Sequence, residues 1–303
     1  MRTLPTHLDI ELDKVQCTLL LVQQYDAPLD LYCEHEVLAV PGPRYQTVAC
    51  VLPPGTNAKS SRARLKLTPR FSDHTWKQFS YQTMLIDPDS VDAQVARHLH
   101  DFSVLWRKGD EASLGLAVRE LEAAASRSAV SKTLLDLVHF NLGLAYYQQF
   151  NFGAAKQAYE ALSDSWWQDP ARALTTHWAL AAISLEQAAL PEAKAHLKAS
   201  LQQYPLVPDP AAILCDRLES ELYLGLVLMR LDEVDEGIAL LRNAMTLAEQ
   251  INSKTLRGKL NINIGGFYEF YDKSPKTTVE RYESALHHYQ CAFELLDAAG
   301  VVA

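Results

Sequence analysis

A chain of 303 residues with 48% hydrophobic content has ample material for packed cores, and its net charge of −9 argues against nucleic-acid backbones as its main ligand. No stretch approaches the ~20 apolar residues of a membrane span, and Asp9, Glu11 and Asp13 break the charged-then-apolar layout of a secretory leader, so the expected address is cytoplasmic. Five cysteines, an odd number spread as Cys17, Cys33, Cys50, Cys215 and Cys291, suit reduced thiols better than a disulfide framework.

Residues 1–88 alternate β-branched, aromatic and polar side chains in short runs: His7–Asp13, Gln16–Gln23, Leu29–Glu34, Tyr45–Leu52, Arg62–Thr68 and Gln78–Ile86. Turn formers separate them, notably Pro41-Gly42-Pro43 and Pro53-Pro54-Gly55-Thr56-Asn57. The spacing predicts a small antiparallel β-sandwich or barrel over 1–88. Asp87-Pro88-Asp89-Ser90 reads as a junction with Ser90 as a helix N-cap. Residues 1–88 hold nine basic and nine acidic side chains, which leaves the entire net charge on residues 89–303.

From residue 91 the period changes to that of helices. Val91–Trp106, a turn at Lys108-Gly109-Asp110, and Leu114, Ala117, Leu121 and Ala124 at helical spacing predict a degenerate helix pair over 91–128. One spacing then recurs three times: a small residue in an apolar run, a second small residue twelve positions on, and a large apolar residue sixteen positions on. The triplets are Gly143/Ala155/Tyr159, Ala181/Ala193/Leu197 and Gly225/Gly237/Leu241. A pair of helices of this length cannot bury its apolar face alone, so such pairs must stack. Small residues let backbones approach, and the large residue fills the space beside the contact.

These motifs resemble the tetratricopeptide repeat (TPR) family, whose units read Trp-x2-Leu-Gly-x2-Tyr, then Ala-x3-Phe, then Pro. The matching residues are His139, Leu142, Gly143, Tyr146, Ala155 and Tyr159; His177, Leu180, Ala181, Ala193, Leu197 and Pro205; and Glu221, Leu224, Gly225, Leu228, Gly237, Leu241 and Ala244. A fourth unit begins Ile264, Gly265, Tyr268, but Ala285 and Tyr289 come eight residues late, a delay ascribed to Ser274-Pro275 opening a longer second helix that runs to Asp297. The small residues opening successive units are 38, 44 and 40 apart, longer than the family's ~34. The expectation is an α+β chain: a sandwich-like domain over 1–88, then a TPR-like solenoid over 89–303 with units at 131–168, 171–205, 213–250 and 254–299.

In that family the first helix of each pair lines a concave groove. Its lining here would be Phe140, Leu144 and Tyr147; Trp178, Ala182 and Leu185; Leu222, Leu226 and Met229; and Ile262, Gly266 and Glu269. This apolar strip lacks the Lys, Arg and Asn quartet that the family uses to clamp a carboxyl-terminal tail. It fits a hydrophobic peptide or an amphipathic helix of a partner protein, unless neighbouring side chains, the N-terminal part or a second copy fill it. A terminal face of Leu286, Tyr289, Phe293 and Leu296 is expected to be partly uncovered, as a dimer contact or as the join to a further part of a longer protein, unless irregular packing buries it.

Signals for chemistry are thin. Cys33, His35 and Cys50 lack the paired spacing of structural zinc ligands. A Cys-His dyad drawn from Cys33 or Cys50 with His74 has no supporting motif. Arg97-His98-Leu99-His100 and His287-His288 place neighbouring residues apart on a helix, which makes them surface groups. No phosphate loop, nucleophile elbow or His-Glu-x-x-His motif occurs, so no catalytic residue, metal or cofactor is assigned. The basic run from Lys59 to Arg70 alternates Arg62, Arg64 and Lys66 on one strand face, which suits an anionic ligand or an edge strand guarded by cations. The sequence therefore predicts a non-enzymatic adaptor or scaffold holding a protein partner, with no membrane contact. A regulatory region of an effector enzyme, such as a caspase-like protease, is the alternative, and nucleic-acid binding through Lys59–Arg70 is the weaker third.

Overall fold

The computed structural model describes strand segments within residues 7–69 and then residues 79–108, 110–207 and 214–298, with side chains from residue 85 onward except at 107 and 215. The backbone of the N-terminal part forms β1 (His7–Glu11), β2 (Cys17–Gln24), β3 (Leu29–Cys33), β4 (Glu36–Ala39), β5 (Thr47–Leu52), β6 (Arg62–Pro69) and β7 (Phe79–Ile86). Antiparallel ladders join them in the orders β1-β6-β3-β4 and β5-β2-β7. The helices are α1 (Val91–Lys108), α2 (Glu111–Ala125), α3 (Lys132–Gln148), α4 (Phe152–Glu160), α5 (Asp164–Trp167), α6 (Pro170–Glu186), α7 (Leu190–Gln203), α8 (Leu214–Arg230), α9 (Val234–Gln250), α10 (Lys254–Gly266) and α11 (Thr278–Asp297). The chain divides into two compact units, residues 1–72 with 77–168, and residues 73–76 with 169–303.

The expected fold class needs correction. Residues described with their side chains are mostly helical, with Leu85 and Ile86 at the end of β7 as the only strand residues, and no sheet or barrel lies among them. The strands share their compact unit with α1–α5, and β5 lies against α1. A self-contained sandwich or barrel is therefore not supported, because the strand segments take a helix as a neighbouring layer instead of closing only on one another. A helical solenoid describes the fold. The basic strand is corrected too: β6 lies between β1 and β3, so it is not an edge strand, and Arg62 and Arg64 stand in register with Glu11 and Asp9. Cys33, His35, Cys50 and His74 lie outside the residues described with side chains.

In the first unit Ser90 caps α1, its Oγ accepting the Ala93 N–H at 3.1 Å, and Asp110 caps α2 by accepting the Ser113 N–H at 2.8 Å. Ala117, Leu121 and Ala124 of α2 are buried, and α2 packs on α3. Helices α3 and α4 meet where the sequence placed its first triplet: a Cβ on Gly143 would lie 2.5 Å from the Tyr159 ring. Phe140 stacks obliquely on Trp166 of α5 at 5.1 Å and on Tyr159 at 5.7 Å. Buried Asp136 caps α5 from outside, since its Oδ1 accepts the Ser163 N–H at 2.9 Å and its Oδ2 accepts the Ser163 hydroxyl at 2.5 Å. The α5 turn was not foreseen.

In the second unit three hairpins follow, α6–α7, α8–α9 and α10–α11, with α7 packed on α8 and α9 on α10. Ala181, Ala193 and Leu197 join one buried cluster with Leu224, Val227 and Leu228. A Cβ on Gly225 would meet Leu241 at 2.8 Å and the Gly237 carbonyl at 3.0 Å. The late register of the last pair closes in the same way. A Cβ on Gly265 would lie 2.7 Å from Tyr289, and one on Gly258 would lie 2.6 Å from Leu296. The eight extra residues are taken up by a π-helical turn, Phe267–Tyr271, and the connection after it. Thr277, not Ser274, starts α11: it shares a reciprocal capping box with Glu280.

A common turn closes the hairpins α3–α4, α6–α7 and α8–α9. Phe150, Ala188 and Asp232, each seven residues after its unit's small residue, take φ of 58°, 55° and 64°. The next residue donates its N–H five positions back, from Asn151 to Tyr146, Ala189 to Ser184 and Glu233 to Leu228, at 2.8–2.9 Å. This is a left-handed helix stop that satisfies end-of-helix carbonyls, made without glycine.

Candidate interaction surface

The predicted groove residues separate into three groups. Phe140, Leu222 and Met229 are 1–2% exposed and belong to the core, which corrects their assignment to a partner-facing groove. The period places them on the inner edge of the apolar face, and the packing of neighbouring helices covers that edge. Leu144 and Tyr147 in the first unit, and Trp178, Leu185 and Leu226 in the second, are half-buried. Trp178 sits edge-on to Tyr223 at 6.2 Å, and both pack with Leu185 against the cluster around Ala181 and Leu228. Leu226 packs against the core of α8–α10. Much of the strip on α6 and α8 is therefore filled by its own neighbours. Ile262 on α10 is 45% exposed, and Phe270, in the π-helical turn beyond it, is 70% exposed. Phe270 was not foreseen, because its apolar character blends into the run Phe267–Tyr271.

Ion pairs tie successive hairpins together. Lys194 of α7 bonds Glu233, Lys198 lies 3.6 Å from Glu236, and Lys259 of α10 reaches buried Glu219 of α8 at 3.1 Å. Arg217 donates to Glu221 at 2.7 Å and lies over the Tyr204 ring. On α6 and α7, His177 and His196 face each other at 3.4 Å. Burial, with repulsion from His196, pushes His177 down to about 4, so it stays neutral near pH 7.

A cleft of about 460 Å³ opens beside the last pair, lined by Tyr268, Lys276, Glu280, Glu283, Ser284, His287 and His288. His288 is stacked on Tyr268 at 5.5 Å, and its Nδ1 lies 2.8 Å from Asn261 Oδ1, which fixes Nδ1 as the donor. Burial lowers its basicity, as do His287 and Arg242. Lys276 lies 4.7 Å over the Tyr268 ring. Tyr289 donates to Glu269 at 2.6 Å, and burial with that carboxylate pushes its hydroxyl up to about 12. The cleft combines a cation, two carboxylates and two imidazoles around an aromatic wall, a recognition surface of mixed charge. Among the described residues no group of three or more His, Cys, Asp or Glu could hold a metal ion, and no helix is long and apolar enough to cross a membrane.

The expected terminal face shifts by part of a turn. Tyr289 and Leu296 are half-buried against Gly265 and Gly258, whereas Leu286 and Phe293 are 56% and 60% exposed. Val279 at 64% and Tyr282 at 56% join them.

No family model matches the chain, and no curated protein matches it significantly. Among solved structures it is similar to a double mutant of MamA RS-1, with 15% identity and a TM-score of 0.49 over 69% of this chain and 98% of that one. MamA 41-end from Desulfovibrio magneticus RS-1 gives 13%, 0.48, 69% and 98%, and BtubC from P. vanneervenii gives 14%, 0.47, 71% and 94%. Likeness at this level assigns neither a family nor a function.

Proposed function

We propose that the chain is a protein-interaction scaffold of tetratricopeptide type, holding an apolar segment of a partner protein against the first helices of its later hairpins. One observation carries this reading: within the second unit the strip that is self-filled at Trp178, Leu185 and Leu226 opens at Ile262 and Phe270. An exposed apolar anchor on the first helix of a pair is the kind of feature by which a helix groove reads a peptide or an amphipathic helix. The pairing of Lys259 with buried Glu219 holds α10 on α8, so the opening sits on a supported helix.

The test is an affinity capture from the native cell extract using wild type and an Ile262→Asp/Phe270→Asp variant. Both sites are exposed, so the variant should keep the wild-type circular dichroism spectrum. A partner held by wild type and lost by the folded variant supports the face; equal capture by both rejects it. A captured enzyme in stoichiometric complex would make the chain a regulatory subunit.

A further inference from the structure

The geometry points to a second copy of this chain as the occupant of the outer face of α11, in an antiparallel two-fold pairing centred on Leu286. This goes beyond the proposed partner face on α6, α8 and α10, and its failure would leave that face untouched. Val279, Tyr282, Leu286, Gln290, Phe293 and Asp297 follow one another at intervals of three or four residues, and all six are exposed. At 100° per residue they fall within an arc of about 80°, a single seam down the helix. The face about 90° round the helix is already spent on α10, since Ala285 and Ala292 are buried and Tyr289 and Leu296 fill the space over Gly265 and Gly258.

An antiparallel partner about Leu286 pairs residues whose numbers sum to 572. Val279 then meets Phe293, Tyr282 meets Gln290, and Leu286 meets itself. Val279, Leu286 and Phe293 each find an apolar residue, and Tyr282 and Gln290, a phenol and an amide, are matched as donor and acceptor. Charge selects the same direction. The end of the seam near the N-terminus of α11 carries Lys273 and Lys276, with side chains 80% and 42% exposed and within 3.3 and 3.9 Å of Asp232 and Asp272 of their own chain, and the other end carries Glu294 and Asp297, both exposed. Antiparallel pairing sets cations against carboxylates at both ends, whereas a parallel one sets like against like. Of the remaining carboxylates, Glu280 is held in the capping box and Glu283 falls opposite residue 289, where no carboxylate stands. Arg281 is turned inward, donating to the Asp272 carbonyl at 3.0 Å.

Four side chains more than half exposed make a patch on the order of 400 Å², a size that marks contact sites on soluble chains. Two such faces with their polar rims reach on the order of 1,000 Å², the small end of specific interfaces. A reversible dimer with a dissociation constant of about 1–100 µM is the expectation.

Sedimentation velocity of the full chain from about 1 to 300 µM tests it. Wild type should pass from monomer to dimer, and Leu286→Glu/Phe293→Glu, made at exposed sites and checked by circular dichroism, should weaken the dimer at least ten-fold. A Leu286→Cys variant should form a 286–286 disulfide on oxidation, identified by peptide mass mapping because other cysteines are present. Lys276→Glu should weaken the dimer and Lys276→Glu/Asp297→Lys should recover it. A wild type that stays monomeric at about 300 µM, or a dimer that survives the double glutamate substitution, overturns the proposal. Failure of the charge swap to recover overturns the antiparallel arrangement.

Discussion

Substituting alanine for glycine at two helical positions should move stability in opposite directions. Gly115 of α2 and Gly225 of α8 both sit inside helices, where glycine costs roughly 0.5–1 kcal/mol relative to alanine. A Cβ at Gly115 meets nothing within 4 Å, so Gly115→Ala should realise that gain in full. At Gly225 the new methyl would stand 2.8 Å from Leu241 and 3.0 Å from the Gly237 carbonyl. Leu241 is fully buried, and the carbonyl belongs to the backbone of α9, so relief requires the two helices to move apart. Overpacking of this kind costs about 1–3 kcal/mol, and the backbone contact puts Gly225→Ala toward the upper half of that range. After subtracting the propensity gain, a net loss of about 1–2 kcal/mol remains, which separates the two variants by about 2–3 kcal/mol. Stacked hairpins need not unfold as one, so urea denaturation should be accompanied by amide hydrogen exchange resolved to α8–α9. Faster exchange in α8 and α9 of Gly225→Ala, with Gly115→Ala more protected than wild type in α2, is the expected outcome. If Gly225→Ala is as stabilising as Gly115→Ala, the small-residue contact is not a close backbone approach and the reading of the triplets fails.

Other consequences can be measured alongside it. Asp136→Ala should cost about 1–3 kcal/mol, because it leaves the Ser163 N–H and hydroxyl without the buried carboxylate that caps α5; local exchange at residues 163–167 should rise, and an unchanged exchange rate there would refute the capping role. The folded state holds His177 neutral with its pKa depressed to about 4, so acid favours the unfolded chain: stability of the second unit should be complete above pH ~6.5 and fall progressively toward pH ~4. His177→Gln should flatten that decline relative to wild type, and identical pH profiles would show that the imidazole is not responsible. Ala188→Gly should stabilise the α6–α7 hairpin by about 0.5–1 kcal/mol, since relief of a left-handed alanine outweighs the added freedom of glycine in the unfolded chain; a loss of stability would mean that the turn is held by something other than its backbone.

The helical part was legible wherever packing follows period. Gly143/Tyr159 and Gly225/Leu241 meet as their spacing demands, and Gly265/Tyr289 meet in spite of an eight-residue delay, because a twelve-to-sixteen offset across a tight turn returns one helix to the same level of its partner. The turns themselves were hidden, since Phe150, Ala188 and Asp232 occupy left-handed positions where a sequence reader looks for glycine. Thr277 was passed over for Ser274-Pro275 because both are plausible helix starts, and the reciprocal bond from Glu280 decides between them only in space. The N-terminal expectation failed at another level: alternation marks extended backbone, but it does not say whether strands close on each other or take a helix such as α1 as their neighbouring layer.

For the interaction surface, the chain's own order of residues determined which side chains are apolar and on which helical stripe each lies, because that depends only on a period of 3.6. Tertiary structure alone decided which of them a partner can reach. Phe140, Leu222 and Met229 are swallowed by neighbouring helices, while Ile262, Phe270 and the seam from Val279 to Phe293 stay open. The crossing and depth of neighbouring helices, not the stripe on any one of them, determine how much of each apolar face is covered.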